Sequence, residues 1–156
     1  RIAVYIGKLL YLIVLAVFAT ILCVFLFDVL YPVMPFSFYI KPLIILILAG
    51  IPIYLISIFV GFSLGKSVAM GLGIVGSLLS ALLVTGLGDF IWKFLPWGWG
   101  VRFMDYCVLQ CVNERQFYST FHEFQLGFIF MLIFTVVLFI ISLMWFQRWE
   151  GGKENE

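Results

Sequence analysis

Four stretches of this chain carry no charged residue: Leu9–Phe27, Leu43–Val60, Val68–Gly88 and Leu126–Phe146. Each is about the 17–25 residues that a helix needs to cross the hydrocarbon of a bilayer. A transmembrane strand would alternate apolar and polar residues over roughly ten positions, whereas these runs are apolar on every face. With 65% of its 156 residues hydrophobic and 11% charged, the chain has too little polar surface to fold as a water-soluble domain. The expected fold is all-α: a polytopic membrane helical bundle, a single domain over residues 1–156, with spans at about 9–27, 43–60, 68–88 and 126–146.

The position of the charges matters more than their net value of +1. An even number of spans puts both ends on one side. That side holds Arg1, Lys8, Lys66, Arg148 and Lys153, against Lys41, Lys93, Arg102 and Arg115 on the other. If residues 89–125 form a long external loop, Lys41 is the remaining short-loop cation outside, and the positive-inside rule places both termini in the cytoplasm. The chain begins at Arg1 without a signal-peptide pattern. Arg1–Lys8 reads as the cytosolic entry to a span, with Lys8 able to snorkel its ammonium to the interface, and the chain is expected to be N-terminally incomplete.

Between the spans, Tyr31, Pro32, Pro35, Phe36, Phe38 and Tyr39 read as a short aromatic turn outside, and Pro42 suits the first turn of the next helix. Pro52 falls inside the second span and should kink it. Gly61–Ser67 is the expected tight cytosolic turn. Val101, Met104, Cys107, Val108, Cys111 and Val112 recur at helical spacing, with Arg102, Asp105, Gln110 and Asn113 between them. This pattern predicts an amphipathic helix along the outer interface or dipping into it, or else a packed connector. Trp145 and Trp149 read as interface anchors before a polar tail, Glu150–Glu156.

Several motifs fail on context. Gly71, Gly73 and Gly76 spell G-x-G-x-x-G, but a dinucleotide fingerprint follows a strand, and these glycines lie inside an uncharged span where helix packing accounts for them. His122-Glu123 begins like H-E-x-x-H, yet Leu126 occupies the second ligand position, so no metal ligands are assigned. Cys107 and Cys111 are four apart and awkwardly directed for a disulfide if both are helical. With Cys23 they make no framework and leave the redox compartment open. No basic block of the kind that recognises phosphate is present, and no nucleic-acid partner is expected. The span cores carry no ionisable acid or base for a proton relay or a membrane protease, so no catalytic residue is assigned.

Two groups of residues stand out. Ala69, Gly73, Ser77, Ala81 and Thr85 fall four apart and line one helical face, where small side chains let another backbone come close. Static packing within one subunit and a seam against a second subunit both fit that face. Asp89, Trp92, Trp97 and Trp99 follow where the span should leave the hydrocarbon. They form a candidate outer site that could meet a cationic peptide by charge and cation–π attraction, and the tryptophans equally fit an ordinary aromatic belt.

The stretch Gly65–Phe103, about a quarter of the chain, resembles the lantibiotic-immunity ABC transporter permeases of the ABC-2 exporter class. The resemblance rests on Gly65-Lys66, the glycine- and serine-rich Gly71–Ser80, the T-G-L-G-D of Thr85–Asp89, and Trp92, Pro96, Trp97 and Trp99. It implies the last four spans of a six-span permease, with Val101–Asn113 as the external helical element before the final span. It also implies a bacterial plasma-membrane subunit that expels lantibiotic peptides and works with a second permease. A separate ATPase subunit would bind ATP and Mg, with no cofactor in this chain. An exporter of another hydrophobic substrate, or a non-transporting structural or regulatory subunit, would share the architecture.

Overall fold

The computed structural model describes residues 2–30 and 37–148, all of whose long elements are helices: α1 (Ile2–Leu30), α2 (Ser37–Ser63), α3 (Lys66–Val84), α4 (Pro96–Val112) and α5 (Glu114–Arg148). Short 3-10 turns at Gly86–Gly88 and Trp92–Phe94 join α3 to α4. Helices α1, α2, α3 and α5 are each long and apolar enough to cross a membrane. The all-α membrane bundle read from the charge-free runs is therefore the observed fold. Tyr31, Pro32, Pro35 and Phe36 of the expected aromatic turn lie outside the described residues, as do Arg1, Trp149 and the Glu150–Glu156 tail with Lys153.

The helices overrun the predicted spans, because polar and aromatic residues at a membrane interface continue a helix that hydrocarbon has already imposed. Phe38 and Tyr39, expected in a turn, belong to α2. Pro42 consequently sits inside the helix instead of in its first turn, where its missing N–H leaves the Phe38 carbonyl without an i+4 donor. The expected turn at Gly61–Ser67 shrinks to Leu64-Gly65. Gly65 has φ 98°, a left-handed conformation that glycine adopts without steric cost, and this allows so tight a reversal.

Residues 89–125, expected as an external loop carrying an amphipathic helix at Val101–Asn113, contain that helix and more. Nearly all of the segment is helical. Pro96 opens α4 at its first turn, where the absent N–H costs no bond. Asn113 alone separates α4 from α5. Its side-chain oxygen accepts the Gln116 N–H at 3.3 Å, and its amide donates to the Gln116 side chain at 3.3 Å. Asn113 and Gln116 thus form a reciprocal cap three residues apart at the start of α5. At 35 residues α5 is about 52 Å long against a hydrocarbon thickness of about 30 Å. Its first turns, carrying Glu114, Arg115, His122 and Glu123, stand beyond the uncharged run.

Two buried clusters hold the bundle. One joins Tyr5 and Leu9 of α1 to Leu55 and Ile58 of α2 and Phe146 of α5. The Tyr5 and Ser142 hydroxyls are hydrogen-bonded, and the Tyr5 and Phe146 rings are 5.0 Å apart. The start of α1 and the end of α5 therefore meet at one end of the bundle. At that end Lys8 Nζ lies 4.4 Å from the Phe62 ring centre. The second cluster gathers Ile45, Ala49, Leu83, Trp92, Trp99, Phe103 and Met131 around α4. Lipid tails are as apolar as these side chains, so dispersion and close fit, more than expulsion of water, hold such clusters together.

Candidate functional site

Helix α4 packs against α2, α3 and α5 and is a central part of the bundle. An amphipathic helix resting on the interface would leave its apolar side to lipid, but here Trp99 and Phe103 are completely buried. The face read from the sequence is divided: Met104 and Cys107 pack against the core while Val108 and Val112 are exposed, and with Cys111 these four line an apolar cleft of about 510 Å³ against α1 and α2. Aromatic residues explain the difference. The Trp99 ring meets Phe134 edge-on at 5.4 Å and Phe103 meets Phe124 at 5.4 Å, and large planar rings gain more from enclosure than valines do.

Glycine makes room for two of the tryptophans. A Cβ on Gly76 of α3 would lie 1.9 Å from the Trp97 indole nitrogen, and one on Gly127 of α5 would lie 2.3 Å from the Trp92 ring. Both distances are below any real contact, so the two indoles sit where side chains are missing and key α4 and the preceding turn between α3 and α5. Trp99 Nε1 donates to the Lys93 carbonyl at 2.9 Å, which satisfies the polar atom of a buried ring.

Arg102 closes the end of α3. Its Nε donates to the Leu83 carbonyl at 2.6 Å, and its Nη2 donates to the Thr85 carbonyl at 2.9 Å and to Asp89 Oδ1 at 2.5 Å. Carbonyls at a helix C-terminus lack intrahelical donors and carry partial negative charge, so a guanidinium there meets both needs. Glu123 of α5 is ion-paired with Lys93. These groups, with Asp105 and Tyr106, line a polar cleft of about 870 Å³. Burial pushes the Tyr106 phenol above its ordinary pKa, as do the nearby Glu123, Asp89 and Asp105 carboxylates, with Arg102 opposing; the phenol therefore stays protonated near neutral pH.

The candidate outer site is divided by the fold. Asp89 lines the polar cleft with its carboxylate engaged by Arg102, though its side chain is 56% exposed. Trp92 borders the same cleft from the core, at 2% exposure. Trp97 faces a different cleft, and Trp99 is interior. Trp92 and Trp99 are accordingly core residues and not members of a belt.

The small-residue face is also redistributed. Thr85 has left the helix, which ends at Val84. Ala69 is half-buried against Gly61, while Gly73, Ser77 and Ala81 are exposed. Gly73 has nothing within 4 Å of an added Cβ. The face that α3 buries within this chain runs instead through Gly76 and Leu83. Gly73 and Ser77 border a second cleft of about 620 Å³, shared with Tyr54, Ser80, Trp97 and Asp105.

Reading the sequence missed Arg102, Lys93, Asp105 and Glu123 as members of a site. The partners of Arg102, Lys93 and Glu123 lie 13 or more residues away, beyond any local periodicity. Gly76 was legible only as a packing glycine. Cys23, Cys107 and Cys111 are free thiols, and burial pushes the Cys107 thiol up. Comparison with known protein families, with curated proteins and with solved structures found no match.

Proposed function

We propose that this chain is the membrane permease subunit of an ABC exporter that removes lantibiotic peptides from the bacterial plasma membrane and so protects the cell. The observation that carries this reading is that one stretch, Gly65–Phe103, both resembles such permeases and supplies α3, its Asp89 and Arg102 closure, and part of the lining of two clefts. The chain binds no nucleotide itself; a partner ATPase binds ATP and Mg. A second permease subunit packs along the face of Gly73, Ser77 and Ala81, which this chain leaves exposed, and walls off the cleft that Gly73 and Ser77 border. The largely apolar cleft beside Val108 favours, as a second reading, export of another hydrophobic substrate by the same machinery.

The complete permease with its partner permease and ATPase is expected to lower cell-associated lantibiotic, and an ATPase variant that cannot hydrolyse ATP is expected to abolish the effect. Normal assembly that leaves every tested lantibiotic on the cells would transfer the assignment to the second reading. In this proposal both termini are cytoplasmic and α4 lies at the outer side. Cys111 is the reporter for that arrangement, because it is exposed while Cys107 is half-buried with its pKa raised. In a background lacking Cys23 and Cys107, a membrane-impermeant maleimide is expected to label Cys111 in intact cells. Labelling only after permeabilisation would invert the topology.

A further inference from the structure

Asp105 lines both the outer polar cleft and the cleft beside α3, so it stands where the two meet. The other carboxylates of the polar cleft have cationic partners, Asp89 in Arg102 and Glu123 in Lys93. Asp105 is exposed and makes no ion pair among the described residues, which leaves the junction with one uncompensated negative charge.

The second cleft is biased in its hydrogen-bonding capacity. Thr20, Ser77 and Ser80 line it, and each donates its hydroxyl proton to a carbonyl of its own helix, Ala16 at 2.7 Å, Ile74 at 2.8 Å and Ser77 at 2.7 Å. A hydroxyl used this way keeps its lone pairs, so it offers acceptors only. Beside these acceptors the cleft has two donors, the Tyr54 hydroxyl and the Trp97 indole N–H, so it is the Asp105 carboxylate, with acceptors in excess, that matches a donor-rich cation such as a primary ammonium. The indole of Trp97 adds an aromatic surface that also favours a cation. Apart from the Tyr54 hydroxyl, the rest of the cleft is apolar, including Leu46, Ile53 and Val84.

We propose that the cleft between α2, α3 and α4 binds an amphipathic primary amine, its ammonium at Asp105 and its apolar body beside Gly73 and Ser77. The proposal deepens the exporter reading and rests on it only for the identity of the physiological ligand. An anionic or neutral amphiphile of the same length would leave the Asp105 charge unmatched.

The test uses the 156-residue chain in phosphatidylcholine nanodiscs and two photoreactive probes, dodecylamine and dodecanol, each with a diazirine at the end of the chain. Cross-links are mapped by mass spectrometry. The amine is expected to label the Gly73–Ser80 segment about tenfold more than the alcohol, the discrimination one charge-assisted contact provides. Asp105→Asn is expected to erase that preference while alcohol labelling stays unchanged, and Asp89→Asn is expected to keep it. Equal labelling by the two probes, or a preference that survives Asp105→Asn, would overturn the proposal. If Asp105→Asn also loses alcohol labelling, Ser77→Leu decides: filling the cleft at an exposed position must suppress both probes without changing the elution of the protein, and unaltered labelling rejects the site. Labelling that depends on Asp105, in an assembly that clears no lantibiotic, retains the cleft and removes the transport reading; the converse result does the opposite.

Discussion

Of the methyl additions at positions 73, 76 and 127, Gly127→Ala is expected to destabilise the folded chain most, Gly76→Ala less, and Gly73→Ala hardly at all. The new methyl at 127 would lie 2.3 Å from a Trp92 ring that is 2% exposed and packed against Phe103 and Tyr106, so the ring can yield only by giving up those contacts. Overpacking of this kind costs about 1–3 kcal/mol or more, which exceeds the roughly 1 kcal/mol that alanine gains over glycine in a helix. At Gly76 the overlap is tighter, 1.9 Å, but Trp97 is only half-buried and can swing into the neighbouring cleft. At Gly73 nothing opposes the methyl, and the helix-propensity gain stands alone. Thermal unfolding in detergent, followed by tryptophan fluorescence, gives the order; a Gly73 variant as unstable as the Gly127 variant would contradict it. The same contrast separates folding from assembly. Gly73→Leu and Ser77→Leu should leave the isolated chain folded yet weaken its association with a second permease far more than Val75→Leu, and equal effects at all three positions would remove the seam.

Arg102→Ala is expected to cost on the order of 2–3 kcal/mol, the largest effect of any charged residue in the chain. The substitution removes the Leu83 carbonyl's guanidinium donor and one of the two donors of the Thr85 carbonyl, which keeps the Gly88 N–H, and it frees the Asp89 carboxylate. Most of the loss belongs to the carbonyls, because Asp89 is more than half exposed and water solvates it when it is released. Asp89→Asn should therefore cost under about 1 kcal/mol, with the amide oxygen still able to accept from the guanidinium. Lysine at 102 should recover only part of the stability, since one ammonium lacks the planar fork that reaches Leu83, Thr85 and Asp89 together. Equal losses for Arg102→Ala and Asp89→Asn would show that the ion pair, and not the closure of α3, is the main contribution. In the exporter, Asp89→Asn would then reveal its role by a split. Lower clearance at normal complex abundance marks a contact with the cationic peptide, and lower abundance marks a structural one.

The charge-free runs determined the class of fold because hydrocarbon leaves a backbone few choices. Every N–H and C=O in it must be satisfied within the segment, so Leu9–Phe27 or Leu126–Phe146 has to be helical whatever surrounds it. The reversal at Gly65 and the small size of Gly73, Gly76 and Ser77 were legible for the same reason, being local properties of a residue in a helix or a turn. What the sequence left open is which small residue receives a neighbour. Gly73 and Gly76 carry the same signal, and only the position of Trp97 distinguishes an open surface from a socket. Beyond the hydrocarbon the constraint lapses. Residues 89–125 have water and headgroups to satisfy them, so they read as a loop carrying one amphipathic helix. Tertiary contacts extended that helix and made it central, through the burial of Trp99 and Phe103 and the reach of Arg102 and Lys93 to partners distant in sequence. Periodicity records the environment of a segment, and such pairings are set by the packing of whole helices.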